Sequence, residues 1–167
     1  MQLGLTFPLQ RKLKLPVPYG APLDRRFCWD LHCISLRGAD SLLLVHCASR
    51  YTLAARELSG LDWARLSDLA MELIRLGLLD AGLSETAVDR YLCAAGSAEL
   101  TRTHGRREVA FLNRAWEDVL SLDHAVDTAS LRQPLLEAAV NALPCRCALF
   151  EGRAPASDFL VQAFDGL

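Results

Sequence analysis

The chain has 167 residues, 51% of them hydrophobic and 23% charged, with a formal net charge of −2. That length supports one domain with a substantial core and is short for two, and the near-neutral balance argues against nucleic acid, whose binders gain affinity by neutralising phosphates. No apolar run approaches the length that crosses a bilayer and no basic region followed by an apolar core marks a secretory signal, so a cytoplasmic, membrane-free protein with six reduced cysteines is expected.

Residues 3–9 alternate apolar and polar, which predicts a half-buried strand. Pro8 cannot donate to a ladder, so it places that strand at an edge or at its own end. Pro16, Pro18, Gly20 and Pro22 mark residues 11–26 as an extended loop. Phe27, Trp29, Leu31 and Cys33 share one face of a second strand, over 27–36. Gly38-Ala39-Asp40 turns the chain into a third strand, 42–47, apolar on both faces as a central strand is. Ser49-Arg50 then turns into a fourth strand, 51–58. The first third is a meander.

Helical spacing begins after Gly60. Asp62 is a candidate cap for a helix with Leu66, Leu69, Ala70, Leu73 and Gly77 on one face. Ser84 is placed to cap a second helix that Gly96 ends. A short strand at 98–103 leads to the turn Arg102-Thr103-His104-Gly105-Arg106-Arg107. The helix after the turn is expected to bury Val109, Leu112, Ala115, Trp116, Val119 and Leu120. Pro134 suits the first turn of a further helix reaching Leu143, with Leu136, Ala139, Val140 and Leu143 inward. A terminal helix, 157–164, docks Phe159, Leu160 and Phe164. The pieces assemble into a single α+β domain over 1–167: an antiparallel sheet, made of the meander and one later strand, with helices packed on one face.

This order of pieces resembles a family of small bacterial proteins catalogued as a domain of unknown function. The likeness is carried by Arg11-Lys12-Leu13 after the first strand, by Trp29-Asp30-Leu31-His32, and by Ser49-Arg50-Tyr51 between the strands of 41–58. The helix 66–79 and the run from Arg102 to Trp116, with Asn113, complete it. It spans 3–122 as a core and leaves 123–167 as a helical extension. An Asn-Asp-Arg-like turn often stands in that family where Thr103-His104-Gly105-Arg106 stands here. The resemblance implies no activity and no catalytic residues.

Three constellations could carry chemistry. Cys28, His32, Cys33, His46 and Cys47 fall on two neighbouring strands, and Cys145 and Cys147 lie further on, but zinc-type spacing such as Cys-x-x-Cys is absent. Alternation separates His32 from Cys33 and His46 from Cys47. Cys33, Cys47 and Cys93 read as buried structural thiols, and only His46 beside Cys47 offers a base to a thiol nucleophile. Neither a metal nor a cofactor is expected. Asp30 and His32 share a face, where the carboxylate could orient the imidazole; the alternative is an ordinary exposed cross-strand polar pair. In the turn from Arg102 to Arg107, a permissive Gly105, helix-start N–H groups and three arginines make a candidate anion site. Its alternative is a solvated loop with arginines paired to Glu99 and Glu108.

Phosphate-loop, nucleophile-elbow and dinucleotide fingerprints do not occur. The expectation is a non-enzymatic protein-interaction module of a bacterium, phage or plasmid, an accessory or inhibitor of a larger complex such as a defence system. Its contact residues would be Arg102, His104, Arg106, Arg107 and Arg114, with the loop 11–26. The alternative is a nucleotide- or RNA-phosphate-binding protein that uses the same turn. A third reading is self-assembly through an edge strand or the terminal helix.

Overall fold

The computed structural model describes residues 1–165. Its centre is a five-stranded sheet ordered β4-β3-β2-β1-β5, built from β1 (Gln2–Leu5), β2 (Cys28–Leu36), β3 (Ala39–His46), β4 (Thr52–Ala55) and β5 (Glu99–Arg102). The strands β2, β3 and β4 form the antiparallel meander. By contrast, β1 pairs in parallel with both β2 and β5. The sheet is therefore mixed, which corrects the antiparallel expectation. The reason is the connection: residues 7–27 hold a helix, α1 (Phe7–Leu13), and a long loop, a crossover that returns the chain in the same direction. Pro8 sits in the first turn of α1, where its missing N–H costs nothing. The first strand ends earlier than its alternation suggested and lies inside the sheet, not at its edge.

A second correction concerns the layers. Leu3, Leu5, Trp29, Leu31, Leu42, Leu44, Leu53 and Ala55 point to one face and pack with Leu66, Ala70, Leu73, Ile74, Leu78, Val88 and Tyr91. These come from α3 (Leu66–Asp80) and α4 (Glu85–Ala95), which follow the short α2 (Gly60–Ala64). Ile34, Leu36, Leu43, Val45 and Ala54 point to the other face, against Leu112, Ala115, Val119, Leu136 and Val140. This second layer is α5 (Arg106–Ser121) and α6 (Pro134–Asn141). Helices thus cover both faces, as the doubly apolar β3 requires. Leu120, expected inside, is 47% exposed.

Local signals held where the chemistry is local. Ser84 accepts from the Ala87 N–H at the start of α4, and Gly96 ends that helix with positive φ. The first helical cap is shifted: Ser59 is the N-cap and Asp62 completes its capping box, with a break at Arg65 between α2 and α3. The hairpin β2–β3 turns on Arg37 and Gly38, both at positive φ, with Leu36 opposite Ala39. After α6, a two-stranded ribbon of β6 (Pro144–Cys145) and β7 (Ala154–Pro155) leads to α7 (Ala156–Phe164). Phe159 and Leu160 of α7 are buried, and Phe164 packs on Tyr91.

Candidate functional site

The face of the sheet under α5 and α6 is apolar only over β2, β3 and β4. Toward β1 and β5 the residues pointing the same way are Gln2, Gly4, Asp30 and Thr101, a polar notch beneath the turn that joins β5 to α5. Strand alternation places Gln2 and Gly4 beside Cys28 and Asp30, and Cys47 follows β3 onto the same side. The turn closes over the notch. Its His104 N–H approaches Asp30 Oδ1 at 3.3 Å, and the His104 ring lies over Gly4.

His104 Nδ1 donates to Asp30 Oδ1 at 2.7 Å, and Nε2 donates to Gln2 Oε1 at 3.2 Å. The Cys47 sulfur is 3.4 Å from the same Nδ1. Both side chains of the Asp30–His104 pair are nearly sealed, at 2% and 4% exposure. Burial raises the Asp30 carboxyl above its usual range, against the pull of His104. Burial also opposes charge on His104, but hydrogen bonding to Asp30 and Cys28 outweighs it and holds the imidazole up at about 9. The pair is an imidazolium–carboxylate stitch across β1, β2 and the turn. Asp30 Oδ2 is buried and has no hydrogen-bond partner among the described residues.

Cys47 does not form a nucleophile with this imidazole. A thiol–imidazole–carboxylate relay needs thiol and carboxylate on opposite ring nitrogens, whereas here both meet Nδ1. Burial also pushes the Cys47 thiol well above its usual value. Asp30, Cys47 and His104 do offer ligand atoms that all lie within 4.8 Å of one another.

Around this notch the arginines are separated in role. Arg25 donates to Glu108 Oε1 at 2.9 Å and to the His104 carbonyl at 2.7 Å, fastening the turn from outside. Arg102 donates to the Val17 carbonyl, and its guanidinium lies 4.6 Å from the centre of the Tyr19 ring. Arg107 donates to the Cys147 carbonyl and lies over Phe111, while Arg114 pairs with Glu117 on its own helix. Arg106 is exposed and its guanidinium has no ion-pair partner among the described residues. Of the expected contact residues, the structure thus brings Arg102 and His104 to one recess and sends Arg107 and Arg114 elsewhere. That recess, 250 Å³, is lined by Gln2, Tyr19, Arg25, Arg102, Thr103 and His104. At the start of α5 the Glu108 carboxylate folds back against Gly105, where an anion would otherwise sit.

Several pairings differ from those the sequence suggested. Asp30 is buried, not exposed, and it orients His104, not His32. His32 bonds Thr6 Oγ1 at 2.8 Å and meets Trp116 edge-on. His46 is held by Ser49 and the Arg26 carbonyl, so it serves no thiol, and burial lowers it to about 4. All six cysteines are free; Cys93 is exposed and Cys33 half-buried, contrary to the expected burial of both. Gln2 belongs to the site without having signalled it, Tyr19 and Arg25 had entered only as members of the loop 11–26, and Cys47 had been paired with His46 and not with His104. The available signal was Gly4, a glycine inside a strand, which marks close approach by another group.

A family model described as Domain of unknown function (DUF6933) matches residues 2–152, extending past the 3–122 core of the sequence resemblance. No curated protein and no solved structure matches the chain. Among the described residues no helix is long and apolar enough to cross a membrane.

Proposed function

Since the chain belongs to the DUF6933 family, whose description carries no activity, we propose from its own surface that it is a non-enzymatic protein-interaction module. In a bacterial, phage or plasmid setting it would serve as an accessory or inhibitor of a larger complex. The segment it takes is acidic, a run of carboxylates on a protein partner. One observation carries this reading: Tyr19 is 76% exposed, with the Arg102 guanidinium over its ring, at the mouth of the 250 Å³ recess. Tyrosine and arginine dominate interface hot spots because each presents large area with a polar handle at low entropic cost. Arg106 adds an exposed cation four residues along the chain from Arg102. The polar notch beneath supports binding over chemistry, since both ring nitrogens of His104 are engaged.

The test is a photo-crosslinker placed next to Tyr19 in the full chain, followed by affinity measurement with the captured partner. Tyr19→Ala combined with Arg106→Glu is expected to weaken binding at least 100-fold, about 2.7 kcal/mol, with an unchanged circular dichroism spectrum. Undiminished binding would overturn the reading.

The alternative is phosphate recognition by a nucleotide or RNA, favoured by one fact: Arg25, Arg102 and His104 all line the recess. Against it, Arg25 is committed to Glu108 and the helix start is covered by that carboxylate. Fluorescence anisotropy with short RNA and mononucleotides decides the matter. A flat titration at low salt removes this alternative, and affinity that falls steeply with salt would put it first.

A further inference from the structure

We infer that Asp30, Cys47 and His104 form a zinc site that clamps the β5–α5 turn onto the sheet. Four observations converge on it. The three side chains supply an oxygen, a sulfur and an imidazole nitrogen, the donor types zinc accepts, with the atoms mutually within 4.8 Å. Tetrahedral coordination at bond lengths of about 2.0–2.3 Å puts donor atoms roughly 3.3–3.8 Å apart. Here Cys47 Sγ and His104 Nδ1 are already 3.4 Å apart, and Nδ1 and Asp30 Oδ1 need to open from 2.7 Å.

Asp30 is 1% exposed, yet its Oδ2 has no partner among the described residues. A buried carboxylate oxygen normally has one, and a cation bound through this carboxylate would supply it. The fourth observation is the far side of the imidazole. Metal-bound histidines usually donate their other ring N–H to an oxygen that fixes the ring, and His104 Nε2 does so to Gln2 Oε1.

The site would be electrically closed. Binding would release two protons, from the Cys47 thiol and from His104 Nδ1, so a divalent ion held by one carboxylate, one thiolate and a neutral imidazole leaves no net charge. The fourth tetrahedral position would fall to a water from the recess that His104 lines. Gly4 provides the room, since a Cβ there would fall 2.1 Å from Asp30 Oδ1 and 2.9 Å from His104 Nδ1. The ligands come from β2, the end of β3 and the turn, so one ion would join three pieces of chain. The turn it would fix carries Arg106, but the inference stands apart from any partner because metal content is measured on the protein alone.

The experiment uses the full chain without an affinity tag, purified under reducing conditions with no chelator. Elemental analysis is expected to find one zinc per chain. After chelation, titration with cobalt(II) is expected to give tetrahedral visible bands and a thiolate-to-cobalt charge-transfer band in the near ultraviolet. Cys47→Ser should abolish the charge-transfer band and weaken zinc at least 100-fold, while Cys93→Ser should leave both unchanged. Gln2→Ala, which removes the partner of His104 Nε2 together with a hydrogen bond to the Ala21 carbonyl, should weaken zinc 10- to 100-fold; circular dichroism checks that each variant is folded. The inference is overturned by sub-stoichiometric uptake at micromolar zinc, by a cobalt spectrum without a thiolate band, or by undiminished zinc affinity in Cys47→Ser.

Discussion

A Cβ at position 4 would lie 2.1 Å from Asp30 Oδ1, 2.9 Å from His104 Nδ1 and 3.0 Å from His104 Cε1. Neither neighbour is the free end of a long side chain; both are held in a buried pair whose positions are fixed by β2 and by the turn. Gly4→Ala should therefore act as overpacking, destabilising the fold by about 1–3 kcal/mol, although alanine is the better strand residue by intrinsic preference. A lower urea midpoint with an unchanged slope is the expected result. An unaltered midpoint would mean that the turn relaxes freely and that the His104 stitch is loose. The cluster itself was out of reach of sequence reasoning: His104 lies 74 residues from Asp30 and 57 from Cys47. No local spacing rule operates over such intervals, and alternation told only which neighbours could not meet.

Among the elements, α6 does the least expected work. Its apolar positions Leu136 and Val140 face the sheet as spacing foretold, but Glu137 and Asn141 are buried in place of Ala139 and Leu143. The reason lies in β4, an edge strand whose outer N–H and C=O groups need partners. Asn141 accepts from the Thr52 N–H and donates to the Thr52 carbonyl, as a neighbouring strand would, and Glu137 accepts from the Ala54 N–H. Two polar side chains on a helix thus continue the sheet's hydrogen bonding, which helical periodicity alone counts as an error. Burial raises the Glu137 carboxyl from 4.5 to about 7, with Arg132 opposing and Asp80 reinforcing the shift. Because the folded state holds this proton more tightly than the unfolded chain, the contribution is present in full below 4.5 and is lost as pH rises through about 7. Glu137→Gln keeps an acceptor for Ala54 and cannot ionise. It should match the parent near pH 5 and exceed it near pH 8, by on the order of 1–3 kcal/mol. Urea midpoints at the two pH values read this directly, and a parallel pH dependence in the variant would exclude Glu137 as its source.

At the scale of the whole molecule, the sequence showed the meander of β2, β3 and β4 and most of the core positions on the strands, but not where β1 and β5 join the sheet. The alternation of Leu3 and Leu5 placed them in the core but could not say that β1 runs parallel between β2 and β5, because direction is set by the crossovers at 7–27 and 60–96. The expectation of helices on one face was wrong for a different reason: the doubly apolar β3 already required a second layer. The family match ends at 152, which would suggest that the last helix is an appendage. Its packing says otherwise: Leu160 is fully buried in the main core, Phe164 meets Tyr91 at a tilt with ring centres 4.6 Å apart, and Phe159 stacks on Phe150 at 5.7 Å. Ser157 also donates to the Asn141 carbonyl, which ties α7 to the helix that completes the sheet. Large apolar side chains contribute about 1.5–3 kcal/mol each when fully buried, so the buried Leu160 and Phe159, with the half-buried Phe164 adding less, amount to a sizeable part of a typical total stability of about 5–15 kcal/mol. Truncation after residue 152 should therefore lower the thermal midpoint by about 10 °C or more and expose apolar surface that binds the dye ANS. A truncated chain that melts at the parent temperature, with no dye binding, would show that the two layers around the sheet are self-sufficient and that α7 only rests on them.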